Sequence, residues 1–165
     1  MHRSIGFAVL MLSAVVSGAY GAESRRDEFI KEAVEGNLFE VQAGQMAQMK
    51  GASDAVRKFG TILAEDHTQA RDKSVQAAKS VGVTPPTAPN EAQRKLLDAL
   101  SKLEGDRFDE RFISTMIDDH KRDVARYEAH AKGNDAVAKY AAATLPTLRE
   151  HLKTVQGLRN ERATK

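Results

Sequence analysis

The chain has 165 residues, with 25 Lys and Arg against 23 Asp and Glu, 41% hydrophobic content, 5% aromatic content, four Pro, and neither Trp nor Cys. Such a balance lacks the concentrated basic surplus of a nucleic-acid binder, and the missing thiols exclude disulfide frameworks, thiolate zinc sites and iron–sulfur clusters. Histidine, carboxylate and hard-metal chemistry stay open on a profile that reads as a helix-leaning globular domain.

Residues 1–21 have the tripartite form of a secretory signal peptide. His2 and Arg3 precede an apolar run of 12 residues from Ile5 to Val16, and the small-residue stretch Ser17, Gly18, Ala19, Tyr20, Gly21 closes it. A run that short falls below the roughly 20 residues of a spanning helix, so cleavage after Gly21 is expected, with an uncleaved anchor as runner-up. Removing 1–21 takes away one Arg and no acid, leaving 24 bases against 23 acids in a single helical-bundle domain over 22–165. No second apolar segment follows, so the mature chain has no transmembrane segment. The expected destination is outside the cytoplasm, the periplasm first, then envelope-associated or secreted fates.

Helix punctuation predicts elements at about 25–50, 53–82, 91–104, 106–132 and 135–160. Gly51 with Ser53 ends one helix and caps the next, and Gly133 with Asn134 is read the same way. Both connections are tight and imply two antiparallel hairpins. Between them VTPPTAPN (83–90) holds three of the four prolines and is non-helical. Asn90 with Gln93 offers a capping box for a short helix, which Gly105 and Asp106 end. An extended stretch of up to about 26 Å followed by a helix of about 20 Å travels the length of a bundle. The predicted class is therefore all-α, a ferritin-like four-helix bundle whose long crossover contains one short helix, ahead of a simple up-down bundle.

Each long helix carries a stripe at three- and four-residue spacing that points inward. The first reads Phe29, Ala33, Gly36, Glu40, Ala43, Ala47, and the second Val56, Phe59, Leu63, His67, Ala70, Ser74, Ala77, Val81. Phe112, Ile113, Met116, His120, Val124 and Tyr127 share a face of the third; Val137, Ala141, Leu145, Leu148, His151 or Leu152, Val155 and Leu158 share one of the fourth. One ligand-capable side chain per helix thus faces the core: Glu40, His67, His120 and His151. Counted from the hairpin tips, Glu40 and His67 differ in height by about 5 Å, and His120 and His151 by about 7 Å. The second pair needs stagger, or a bend at Pro146.

The segments GNLFEVQAGQMA (36–47), VRKFGTILAEDH (56–67), GDRFDERFISTMIDDH (105–120) and LPTLREHL (145–152) together resemble the exported bacterial proteins grouped as domain of unknown function 4142. The resemblance covers roughly residues 26–158. It lies in the ordered series Glu40, Asp66-His67, Asp119-His120, Leu145-Pro146 and His151-Leu152. It implies an exported ferritin-like bundle and brings no activity with it.

The sharper functional expectation is a divalent transition-metal site, for Zn, Cu, Mn or Fe, at Glu40, His67, His120 and His151. Asp66 and Asp119 are its expected outer partners, and Met116 lies four residues before His120 on the same face. The alternative is a metal-free polar network with reciprocal Asp66–His120 and Asp119–His67 bonds, in a structural or adaptor bundle acting through its surface on a protein partner or a second copy of itself. A metal-dependent oxidoreductase ranks last. Di-iron bundles use Glu-x-x-His, and Ala64, Ile117 and Leu148 stand three residues before the histidines here. No nucleophile elbow or phosphate loop is present, so no catalytic or organic-cofactor residue is assigned, and the reading is a non-enzymatic, stress-related exported protein. His130 beside Lys132 reads as a helix-end charge. Tyr127 and Tyr140 read as boundary residues with wet hydroxyls, and Arg122, Asp123 and Arg126 as a solvated surface.

Overall fold

Side-chain caps start α-helices at Ser53, Asn90 and Asp135 in the computed structural model, which describes residues 14–164. Five helices follow in order: α1 (Ala14–Lys50), α2 (Asp54–Ser80), α3 (Glu91–Ser101), α4 (Gly105–His130) and α5 (Ala136–Ala163). The Ser53 side chain accepts from the Val56 amide to start α2, and Asn90 and Gln93 form the expected capping box at α3. At α5 the cap is Asp135, which accepts from the Ala138 amide, and not Asn134. Helix α2 stops at Ser80 because Gly82 adopts φ 77° and the Gly82 and Val83 amides turn back to the Lys79 and Ala78 carbonyls, a Schellman closure. Of the expected leader, residues 1–13 lie outside the described residues. The rest is continuous with α1, since no proline interrupts residues 14–25 and two glycines only weaken a helix there. No helix among the described residues is long and apolar enough to cross a membrane.

The crossover sets the topology. It leaves α2 with Val83 packed among Phe29 and Ile30, passes Glu35 through a 3.2 Å bond from Asn90 Nδ2, and reaches the far end of α1, where Lys50 Nζ donates to the Leu103 carbonyl at 3.3 Å. Gly51 and Gly105 then pair in a single parallel bridge, Gly105 at φ 59°. Helix α4 therefore starts beside the end of α1 and runs alongside α2 in direction. Helix α1 packs against α2 and α4, and α5 against α4 and α2, which leaves α2 and α4 on the diagonal. This is the ferritin-like bundle with a long crossover.

Two features lock the hairpins. Asp109, fully buried, accepts from the Ala52 and Ser53 amides and the Ser53 hydroxyl at 2.7–3.0 Å, tying the α1–α2 turn to α4. Helices α1 and α2 also approach so closely that a Cβ on Gly44 would lie 2.7 Å from the Gly60 carbonyl oxygen, and one on Gly60 2.7 Å from Ala47 Cβ.

The apolar core comes in two halves. Phe39, Phe59, Leu63, Phe108, Phe112 and Met116 fill the end near the α1–α2 turn, and Phe29, Ile30, Tyr127, Val137, Tyr140 and Leu148 fill the other. Each buried Phe contributes on the order of 1.5–3 kcal/mol. Between the halves, at the level of Glu40, lies a layer of buried polar side chains.

Candidate metal centre

Each of the four inward stripes delivers its polar side chain to this layer: Glu40, His67, His120 and His151 are all at most 3% exposed. The height difference that residue counts leave between His120 and His151 is closed, with their ring centroids 5.4 Å apart. One ring nitrogen from each of the three histidines lies within 4.8 Å of the other two.

Hydrogen bonds on the outer side of each ring fix where the protons sit. Asn37 Nδ2 donates to the Tyr140 hydroxyl at 2.9 Å, which turns Asn37 Oδ1 toward His67. His67 Nδ1 lies 2.9 Å from that oxygen and must carry the hydrogen, so Nε2 keeps its lone pair. That Nε2 is buried with no hydrogen-bond partner. His120 Nδ1 donates to the Met116 carbonyl at 3.0 Å, leaving its Nε2 bare. His151 Nε2 donates to Asp66 Oδ2 at 2.9 Å, leaving its Nδ1 bare. The two bare atoms, His120 Nε2 and His151 Nδ1, stand 3.3 Å apart. Three imidazoles thus turn lone pairs toward a common region, each backed by a carbonyl, amide or carboxylate of the kind that orients metal-bound histidines.

Electrostatics keep these rings uncharged. Burial lowers the His67 pKa from its ordinary 6.5 to about 4, against the opposing pull of Asp123, Asp119 and Asp66. Burial, then the neighbouring His67 and His151, push His120 well below its usual range, and burial with His67 lowers His151 despite Asp66. At neutral pH the donor atoms are ready for a Lewis acid without first losing a proton.

Glu40 falls outside this donor set. Its Oε2 lies 2.8 Å from His67 Nδ1 and its Oε1 3.4 Å from His120 Nδ1, the protonated sides of both rings, and neither oxygen has a hydrogen-bond partner. It groups instead with Asp119 and Asp123, one oxygen of each within 4.8 Å of the others. Burial, then the nearby Asp119, raises the Glu40 pKa well above the usual carboxyl value; burial, then Glu40, does the same to Asp123. Burial also raises Asp119, against the ion pair it makes with Arg122.

The reciprocal Asp–His exchange between α2 and α4 does not form, because those helices are diagonal. Asp66, one position before His67, points to adjacent α5 and bonds His151, while Asp119 pairs with Arg122 on its own helix. Met116 serves through its carbonyl while its side chain packs in the apolar core. Asp123 is no solvated surface residue, its side chain being 13% exposed. Nor are the tyrosine hydroxyls wet: Tyr127 and Tyr140 are buried and their oxygens lie 3.0 Å apart. His130 occupies the last turn of α4, where Nδ1 donates to the Arg126 carbonyl and the ring stacks on Phe29 at 4.2 Å. Asn37 is the site residue that pattern reading misses; its signal is its position three before Glu40, on the same helical face.

A family model described as a domain of unknown function (DUF4142) matches residues 13–158. Among solved structures, the chain is similar to the crystal structure of a DUF305 fragment from Deinococcus radiodurans, with a TM-score of 0.72 and 14% identity, covering 83% of this chain and 96% of that one. At that identity the likeness speaks for the fold. No curated protein matches the chain.

Proposed function

The chain belongs to the DUF4142 family, and from that premise, which carries no activity, we propose that it is an exported protein that holds a divalent transition metal on His67, His120 and His151. The observation that carries this reading is the 3.3 Å approach of His120 Nε2 to His151 Nδ1 with both opposite nitrogens already committed as donors. A metal-free network needs one more proton between these two atoms, and burial opposes the imidazolium that would supply it. A metal ion needs none.

Three neutral imidazoles suit Zn, Cu, Mn or Fe in a site with a further position open. The role proposed is holding and handling the ion rather than turning over a substrate. Ala64, Ile117 and Leu148 occupy the positions where a di-iron oxidase places its Glu-x-x-His carboxylates. Export follows from the leader-like residues 1–21, and handling a metal in the periplasm under stress is the setting that fits them; residues 22–165 make up the mature single domain.

Elemental analysis of the untagged chain purified from its native compartment, followed by titration of the stripped protein with Zn, Cu, Mn and Fe, tests the reading. One ion per chain with a raised melting temperature is expected. No ion, and melting unchanged by all four metals, overturns it.

A further inference from the structure

Glu40 presents two buried carboxylate oxygens, 1% exposed as a residue, whose nearest ring nitrogens, His67 Nδ1 at 2.8 Å and His120 Nδ1 at 3.4 Å, already donate to Asn37 and Met116, so neither oxygen receives an aligned hydrogen bond. An unpartnered buried polar group costs about 1–3 kcal/mol, more when charged, so a structure that keeps one there calls for a ligand. Two further carboxylates converge on the same place, with one oxygen each of Glu40, Asp119 and Asp123 within 4.8 Å of one another. Their balancing cations are incomplete. Arg122 pairs with Asp119, but Arg126 Nη1 stands 4.0 Å from Asp123 Oδ1, beyond hydrogen-bond reach, and is shared with Glu32 at 3.2 Å.

Two of the three carboxylates also line a cavity, and Glu40 does not. The cavity, of about 260 Å³, opens between α1, α3 and α4, with Glu32, Asn90, Arg122 and Arg126 on its walls and Asp119 and Asp123 among its lining. Gly36 lines the α1 wall beside Asp123, where a Cβ would stand 3.9 Å from Asp123 Oδ2 in ordinary van der Waals contact.

We infer that Glu40, Asp119 and Asp123 form a second cation site, distinct from the imidazole site, that takes a hard, oxygen-preferring divalent ion entering between α1, α3 and α4. All-carboxylate donors select Mg, Ca or Mn over the softer metals that imidazole favours. The two sites sit back to back, because Glu40 faces the protonated Nδ1 sides of His67 and His120 while the lone pairs of those rings point the other way. The inference adds to the imidazole reading and does not rest on it.

Mn²⁺, followed by electron paramagnetic resonance on the stripped full chain after one equivalent of Zn²⁺ has been added to occupy the imidazole site, is the test. One Mn²⁺ per chain is expected, without directly coordinated ¹⁴N coupling. The double substitution Asp119→Asn and Asp123→Asn, or Glu40→Gln alone, should weaken Mn²⁺ at least tenfold and leave Zn²⁺ uptake in place, whereas His151→Gln should weaken Zn²⁺ and leave Mn²⁺ in place. Absence of saturable Mn²⁺ binding, strong ¹⁴N coupling, or unchanged Mn²⁺ affinity in folded Glu40→Gln protein would each overturn the inference. Loss of Zn²⁺ binding alone would strike only the imidazole site, so the two failures are distinguishable, and the ¹⁴N readout on the unsubstituted chain stands even if the double variant does not fold.

Discussion

His120 Nε2 and His151 Nδ1 face each other at 3.3 Å with no proton available to join them. Each ring's other nitrogen is already donating, to the Met116 carbonyl and to Asp66, so the contact sets one lone pair against another. Removing either donor atom should therefore matter more to ion uptake than to folding.

Metal loading is expected to disappear in His67→Ala, whose Nε2 is the orphaned donor, and to persist in His130→Ala, whose ring is spent on a carbonyl bond and a Phe29 stack. Metal-to-protein ratios of the two variants, purified side by side, check this. Ion at a hundredfold excess over its dissociation constant should stabilise the unsubstituted chain by about 2.7 kcal/mol. Equal loading of both variants would refute the assignment.

Asp66→Asn should lower affinity at the imidazole site by about 10- to 100-fold while leaving the stoichiometry at one. Asp66 is partly exposed, so the loss comes from the bond to His151 Nε2 and not from a disrupted core. Calorimetric titration reads this directly. An unchanged dissociation constant would mean that Asp66 plays no part in orienting His151.

Acidification should expose the neutrality of the histidines. His67 titrates at about 4 in the folded protein and near 6.5 unfolded, so between those values the unfolded chain binds more protons. Its contribution to stability is intact above about pH 6.5 and is lost as pH falls toward 4, at up to about 1.4 kcal/mol per pH unit. The raised carboxyls of Glu40 and Asp123 act in the opposite sense, favouring the folded state as they take up protons. Ring resonances of His67 followed by NMR separate the two: they should remain those of a neutral imidazole down to pH 5, and a midpoint near 6.5 would contradict the buried placement.

Glu40→Gln should make the metal-free protein more stable at pH 8. The native carboxyl has a raised pKa, so its contribution falls as pH climbs from the unfolded value through the folded one; the amide removes that dependence. A gain on the order of 1 kcal/mol is expected at pH 8, from the buried charge that the amide does not carry, while the amide stays a buried polar group. Urea denaturation at pH 5 and pH 8 checks both size and sign, and a loss of stability at pH 8 would show that the carboxylate is held favourably.

Gly44→Ala and Gly60→Ala should each destabilise the fold by about 1–3 kcal/mol, even though alanine is the better helix former by nearly 1 kcal/mol. Added methyl groups would meet backbone at 2.7 Å, which side-chain repacking cannot relieve. Denaturant midpoints decide it, and neutral substitutions would mean that α1 and α2 can separate freely.

Much of this was legible in the residues because helix faces and caps are local properties. The stripes that carry Glu40, His67, His120 and His151 depend only on spacing, and the Asn90–Gln93 box only on near neighbours. What the pattern hid depends on which helices lie side by side. Asp66 and Asp119 sit one residue, about 100°, away from the inward histidines, so their partners follow from the diagonal placement of α2 and α4. Asp123 looks solvated in sequence because Arg122 and Arg126 flank it, and only the crossover helix lying over that face covers it. Asn37 shares the inward face of Glu40, but its role follows only from Tyr140 on α5, which fixes its amide.

Because the chain crosses the full length of the bundle between α2 and α4, the donors come from two hairpins that must dock in register. Neither hairpin alone assembles the triad: α1–α2 supplies one ring, and α4–α5 the other two. Ion capture would thus report completed assembly, and a half-built chain could not sequester the cation early.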